Sequence, residues 1–285
     1  MKHLIFHYGV YDPNWYRPGM LQLGPNLKDS EYSRKTTTLD CGKLYAAISP
    51  YYPNKIPPLI YYTDNFYIQA QPLKNLRYWY RPKLLVCADL HHGNNPLEAL
   101  RSFIHREKFD AILLLCNQSM LNIVRQMTTI PVRFLPPSFF MYESHVRDID
   151  PKPLLVHVGN ICTYHTERKK IVSELISRSR VPFEHFTTST AREAAKIYSG
   201  NAVVLNIPLN NDLNHRTYEC MAAGAPQIIY GSPEILGDQE CLALSRDLFW
   251  VKSVPEIEDL AHYLIESPNL RYKSIEVLPP PVWDI

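Results

Sequence analysis

The chain has 285 residues, 46% of them apolar and 20% charged, with a formal net charge of +2. That length suggests about two domains of ordinary size, each able to bury a core, and the near-neutral balance gives no strong nucleic-acid signal. The apolar run over residues 1–8 is too short for a signal peptide, and no window approaches a membrane span, so a cytoplasmic protein without a transmembrane segment is expected. Cysteines at 41, 87, 116, 162, 220 and 241 show no Cys-x-x-Cys spacing, which favours reduced, apolar thiols over structural zinc.

In chain order, apolar runs alternate with helical patterns, as in parallel sheets with crossover helices. Strands are expected over residues 3–8, 59–63, 84–88, 111–116 and 132–135, with helices over 96–107 and 118–127. Residues 9–57 lack steady periodicity and are expected as a long functional or mobile loop, with one helix near 44–48. A Tyr-rich cluster between Tyr61 and Tyr80 is read as part core, part sugar-stacking surface. Pro136-Pro137 ends the last strand of a first domain, residues 1–140. A second domain, 141–268, opens with a strand at 154–158. It continues with helix 166–179, strand 183–186, helix 191–198 and strands at 202–206, 227–230 and 249–252, and it closes with helix 256–265. The Pro-rich tail, 269–285, is expected to pack back as an extended segment.

Residues 211–226 carry the strongest signal. They lie between two apolar runs and read as loop, short helix, Gly turn. The helix opens at Asn214, a good N-cap, and stops at Gly224-Ala225-Pro226. Amide groups at a helix start attract anions, and Arg216 stands beside them. Glu219, one turn deeper, suits a pair of sugar hydroxyls. The bland alternative is an ordinary amphipathic helix, since each element alone is common.

The spacing Arg216-x-x-Glu219-x-x-Ala222-x-Gly224-x-Pro226 resembles the donor-site signature of GT-B glycosyltransferases, nearest the retaining family-4 type and the spore-maturation glycosyltransferase-like group. The resemblance covers mainly residues 154–265. It implies an α/β fold of two Rossmann-like domains facing across a cleft, and a hexosyltransferase that uses a nucleotide-diphosphate sugar without metal or other cofactor. A UDP-sugar is the first guess, UDP-glucose before others, with an unknown acceptor. The glutamate matching Glu219 binds the donor ribose in that family, and basic residues before it hold the diphosphate. Retaining members often carry another glutamate eight positions earlier. This chain has Asn211 there, which can hydrogen-bond a sugar hydroxyl but carries no charge, so retention is implied by the resemblance alone.

Three other segments are expected at the cleft. After the strand at 154–158 come Gly159 and Asn160, then a helix with a basic start. Similar enzymes place a turn here against the nucleotide and a cation on the diphosphate, to which His165 and Arg168 correspond by position. Asp89, His91 and His92 follow another strand and match the acceptor-facing region. There a carboxylate beside imidazole could orient it or remove a hydroxyl proton. A metal reading of that triplet lacks a third ligand, because adjacent histidines diverge. Gly9, after the first strand, corresponds to a turn that meets the donor phosphates. Two other function classes stay open: a nucleotide-sugar hydrolase or epimerase of the same fold, and a non-catalytic nucleotide-sugar-binding protein.

Overall fold

The computed structural model describes residues 3–7, 20–25, 27–31, 33–52, 55–70, 72–80, 82–88, 90, 93–115, 118–135, 145–162, 165–209, 214–233 and 248–267. The chain forms two compact units that divide between Pro136 and Pro137. Among the described residues, each unit is built on one sheet.

The first unit runs β1 (His3–His7), β2 (Met20–Gly24), β3 (Ser33–Lys35), α1 (Cys41–Ile48), β4 (Leu59–Asp64) and α2 (Asn65–Ala70). It continues with β5 (Lys83–Ala88), α3 (Pro96–Glu107), β6 (Ala111–Leu115), α4 (Leu121–Met127) and β7 (Val132–Leu135). The sheet order is β3-β2-β1-β4-β5-β6-β7, and every neighbouring pair is parallel. This is the doubly wound 3-2-1-4-5-6 order with one strand added. Its core joins Leu59 and Tyr61 to Leu85, Phe103, Ile112 and Leu114, all buried.

The expectation of a long loop over residues 9–57 needs correcting, because β2, β3 and α1 all lie within it. Leu21, Gln22 and Leu23 are all buried, so β2 shows no alternation of polar and apolar positions. Its pairing with β1 is a long-range choice that no local window displays. Helix α1 extends beyond the expected 44–48. Asp40 caps it by accepting from the amides of Gly42 and Lys43, and its other oxygen accepts from Asn75 at 2.6 Å. The Tyr-rich cluster does divide. Tyr61 and Trp79 are buried, whereas Tyr78 and Tyr80 are exposed.

The second unit runs β8 (Lys152–Val158), α5 (Thr166–Arg178), β9 (Phe183–Phe186), α6 (Ala191–Gly200) and β10 (Asn201–Asn206). Then come α7 (His215–Ala222), β11 (Gln227–Tyr230), β12 (Phe249–Val251) and α8 (Val254–Glu266). Its sheet order is β12-β11-β10-β8-β9, again all parallel. Counted within the unit, this is the flavodoxin-like 2-1-3-4-5 order, whose switch point lies between β8 and β10. Strand β10 is buried along its whole length, so it shows no alternation of buried and exposed positions. Its carboxyl end and that of β8 therefore deliver Asn206 and Gly159 to the switch point.

Candidate functional site of the second unit

Helix α7 is set at both ends by hydrogen bonds that its sequence dictates. Asn214 accepts from the Thr217 amide at 3.3 Å through its side chain. At the other end, Ala225 N donates to Cys220 O at 2.8 Å and Gly224 N to Met221 O at 3.0 Å. With Gly224 at φ +64°, this is a Schellman stop, closed by the buried contact of Cys220 and Ala225. The Ala-Gly-Ala stretch of the motif is thus accounted for by helix termination.

Between those ends the helix carries Arg216 and Glu219. Nη1 of Arg216 donates to Asn206 Oδ1 at 3.4 Å, and its Nε is buried without a partner among the described residues. Its guanidinium also lies against Gly159. An added Cβ there would overlap Nη2 and come within 3.2 Å of Cζ. Gly159 has φ +140°, a conformation that side-chain-bearing residues rarely adopt. The glycine therefore serves both the turn and the room that Arg216 occupies. Glu219 accepts from the Tyr198 hydroxyl at 3.1 Å through Oε2. Tyr198 comes from α6 and is buried. Burial first, and Glu219 second, hold its phenol well above the usual range, so it stays a donor.

The turn after β8 is braced by Arg168, itself buried. Its Nε and Nη2 donate to Ile207 O at 3.2 and 2.8 Å, and Nη1 donates to Asn160 O at 3.3 Å. One side chain thus ties together the chain leaving β8 and the chain leaving β10. His165 stands at the N-cap position of α5 and makes no side-chain cap; its Nδ1 lies 3.5 Å from Cys162 Sγ. Gly159, Asn160, Arg168, Asn206, Asn214 and Arg216 are thereby linked, and Glu219 sits one turn along α7. Gly9, Asp89, His91, His92 and Asn211 lie outside the described residues.

Sequence reasoning passed over His157, Asn206, Thr217 and Gln227. All four are buried polar residues, and three stand in strands that are mainly apolar. That placement is a readable signal, because a polar side chain in a buried strand needs a partner. His157 stacks on His185, with ring centroids 5.1 Å apart and their Nδ1 atoms 3.0 Å apart. Burial, then the cations Arg216 and Arg168, then His185, hold His157 far below the usual imidazole range. His185 is also lowered, chiefly by burial. The pair is neutral at pH 7. Among the described residues, no three His, Cys, Asp or Glu side chains group as a metal site.

Comparison with known proteins bears on this geometry. Residues 168–276 match a family model described as "Glycosyl transferase-like". No curated protein matches the chain. Among solved structures it resembles sucrose-phosphate synthase from Thermosynechococcus elongatus, at 12% identity over 95% of this chain and 91% of that one, with a TM-score of 0.55. The fold is GT-B. Other likenesses are to TarM of S. aureus and to the Glycosylation Associate Protein (Gap123) complex of Streptococcus agalactiae. TarM is 11% identical over 75% of this chain and 49% of that one, with a TM-score of 0.48. The corresponding figures for Gap123 are 10%, 81%, 52% and 0.47. The chain thus spans about half the length of these two. No described helix is long and apolar enough to cross a membrane.

Proposed function

We propose that this protein transfers a sugar from a nucleotide-diphosphate donor to an acceptor hydroxyl, with the second unit holding the nucleotide. The observation that carries this reading is the pairing of Arg216 with Glu219 on a capped helix start. Arg216 makes one long hydrogen bond, to Asn206 Oδ1, and Glu219 is steadied by Tyr198 on one oxygen. A diphosphate at Arg216 and a ribose at Glu219 would be spaced as the two ends of one nucleotide half. As the glycosidic bond breaks, negative charge grows on the leaving diphosphate. Arg216 and the first amides of α7 would stabilise it, the task a divalent cation performs elsewhere. Turnover is therefore expected to survive EDTA.

In this reading Gly159 and Asn160 shape the wall of the site, Arg168 braces it, and Asn214 sets the helix start. His165, Gly9 and Asn211 are further donor-side candidates, with Asp89, His91 and His92 on the acceptor side. The resemblance to family-4 and spore-maturation glycosyltransferase-like proteins supports a UDP-sugar, UDP-glucose first, and retention at the anomeric carbon.

The test is a thermal-shift screen of UDP-, GDP-, ADP- and dTDP-sugars, followed by nucleotide release with and without acceptor. Release that depends on acceptor supports transfer. Release without acceptor points to a hydrolase, and binding without turnover points to a binding protein. Glu219→Ala should weaken nucleoside diphosphate binding by about one to two decades, the worth of charged hydrogen bonds to hydroxyls. Unchanged affinity in the folded variant removes Glu219 from the site.

A further inference from the structure

The polarity of the buried cluster behind Arg216 is dictated by the main chain of a single residue, Thr217. The Thr217 carbonyl can only accept, so Gln227 presents Nε2 to it at 2.8 Å and must turn Oε1 the other way. Oε1 meets Asn206 Nδ2 at 3.4 Å, and the same nitrogen reaches Thr217 Oγ1 at 3.0 Å. The Thr217 amide can only donate, so Asn214 presents Oδ1 to it and offers Nδ2 to Asn206 Oδ1 at 3.0 Å. Two independent routes, one from β11 and one from the α7 cap, thus assign the same orientation to the Asn206 amide. In both, Oδ1 is left as the acceptor, and that atom takes Nη1 of Arg216.

Asn206, Thr217 and Gln227 are buried, so no water competes to reverse this chain of donors and acceptors. Through Nη2 the guanidinium also occupies the space that a side chain on Gly159 would need. Arg216 is therefore held between an acceptor of assigned polarity and a gap where a side chain is missing. A long flexible side chain held this way loses little rotamer freedom when an anion arrives.

We propose that Asn206, Gln227 and Gly159 are positioning residues that preset the Arg216 guanidinium for the diphosphate of the donor. This rests on the donor reading above and extends it to residues that need not touch the nucleotide. A merely structural network would cost stability when broken but would not single out the phosphate end of a ligand. The discriminating quantity is therefore the ratio of nucleoside diphosphate affinity to free nucleoside affinity.

UDP, GDP, ADP and dTDP are first titrated into the wild-type chain by calorimetry, and the base that binds is then compared as diphosphate and as nucleoside. Asn206→Ala and Gln227→Met should each lower the diphosphate-to-nucleoside ratio about five- to tenfold, the share of a charged hydrogen bond lost through misplacement. In an Arg216→Ala background neither substitution should lower the ratio further, because the group they position is gone. Should Asn206→Ala fail to fold, Gln227→Met and Gly159→Ala carry the same expectation, the latter by displacing the guanidinium. An unchanged ratio in folded variants overturns the positioning role, as does full additivity with Arg216→Ala. A wild-type chain that binds none of the four diphosphates overturns the donor reading and this inference with it. Binding with an unmoved ratio overturns the inference alone.

Discussion

Arg168 and Arg216 each stand in the first turn of a helix that follows a central strand of the second unit, yet their guanidinium groups meet different surroundings. Arg168 donates to the backbone carbonyls of Ile207 and Asn160, and α5 carries its own acid, Glu167, in the same turn. Arg216 has one long bond to a side-chain oxygen and a buried Nε without a described partner, and α7 has no acid in its first turn. The contrast teaches that charge and helix position do not by themselves make an anion site. A guanidinium becomes available when the nearby carbonyls are already satisfied, and it becomes a brace when they are not.

Breaking the brace should have the largest effect. Arg168→Met leaves the buried Ile207 carbonyl without both of its donors, at about 1–3 kcal/mol, whereas water can replace the bond to the carbonyl of exposed Asn160, so urea unfolding should show a loss of roughly 1–3 kcal/mol. Arg216→Ala should behave in the opposite way. Nucleoside diphosphate affinity should fall by about one to two decades while stability moves by no more than about 0.5 kcal/mol. A stable Arg168→Met chain, or an Arg216→Ala chain that unfolds with its affinity intact, would reverse the assignment of brace and ligand group.

The histidine pair supplies a smaller, pH-dependent test of the same surroundings. His157 has a folded pKa well below its unfolded value of 6.5, because burial and then Arg216 and Arg168 disfavour the cation. Above about pH 7 it is neutral in both states and stability is flat. As the pH falls below 6.5 the unfolded chain takes up a proton that the folded chain does not, so stability falls by up to about 1.4 kcal/mol per pH unit. His157→Phe should make the profile of unfolding free energy between about pH 7.5 and 5.5 shallower, leaving the share of His185, and a parallel slope in wild type and variant would assign the acid loss elsewhere. The smallest effect is expected at the far end of α7. Gly224→Ala must hold a left-handed conformation at φ +64°, costing about 1 kcal/mol by thermal melting and leaving nucleotide affinity unchanged. A drop in affinity there would mean that helix termination is coupled to the site.

Several features of this protein were legible in local patterns. The parallel α/β class follows from apolar runs alternating with helical spacing, and strands 183–186 and 227–230 are found at their expected limits. The start and stop of α7 are written in Asn214 and Gly224-Ala225, because capping is chemistry between near neighbours. Strands β2 and β3 were not legible, since no alternation marks them and each is defined by parallel pairing with the strand before it, His3 with Met20 and Gln22 with Ser33. The polar cluster was half visible. Asn206 and Gln227 stand out as polar residues in apolar strands, but which of their atoms donates depends on the Thr217 main chain meeting them across α7, β10 and β11. The same holds for the two arginines. Their charge and helix position belong to the sequence, whereas Arg168's role as a brace, which Arg216 does not share, depends on where the carbonyls of Asn160 and Ile207 fall once β8 and β10 lie side by side. Hydrogen bonds saturate at short range, and only the packed sheet brings donor and acceptor within that range.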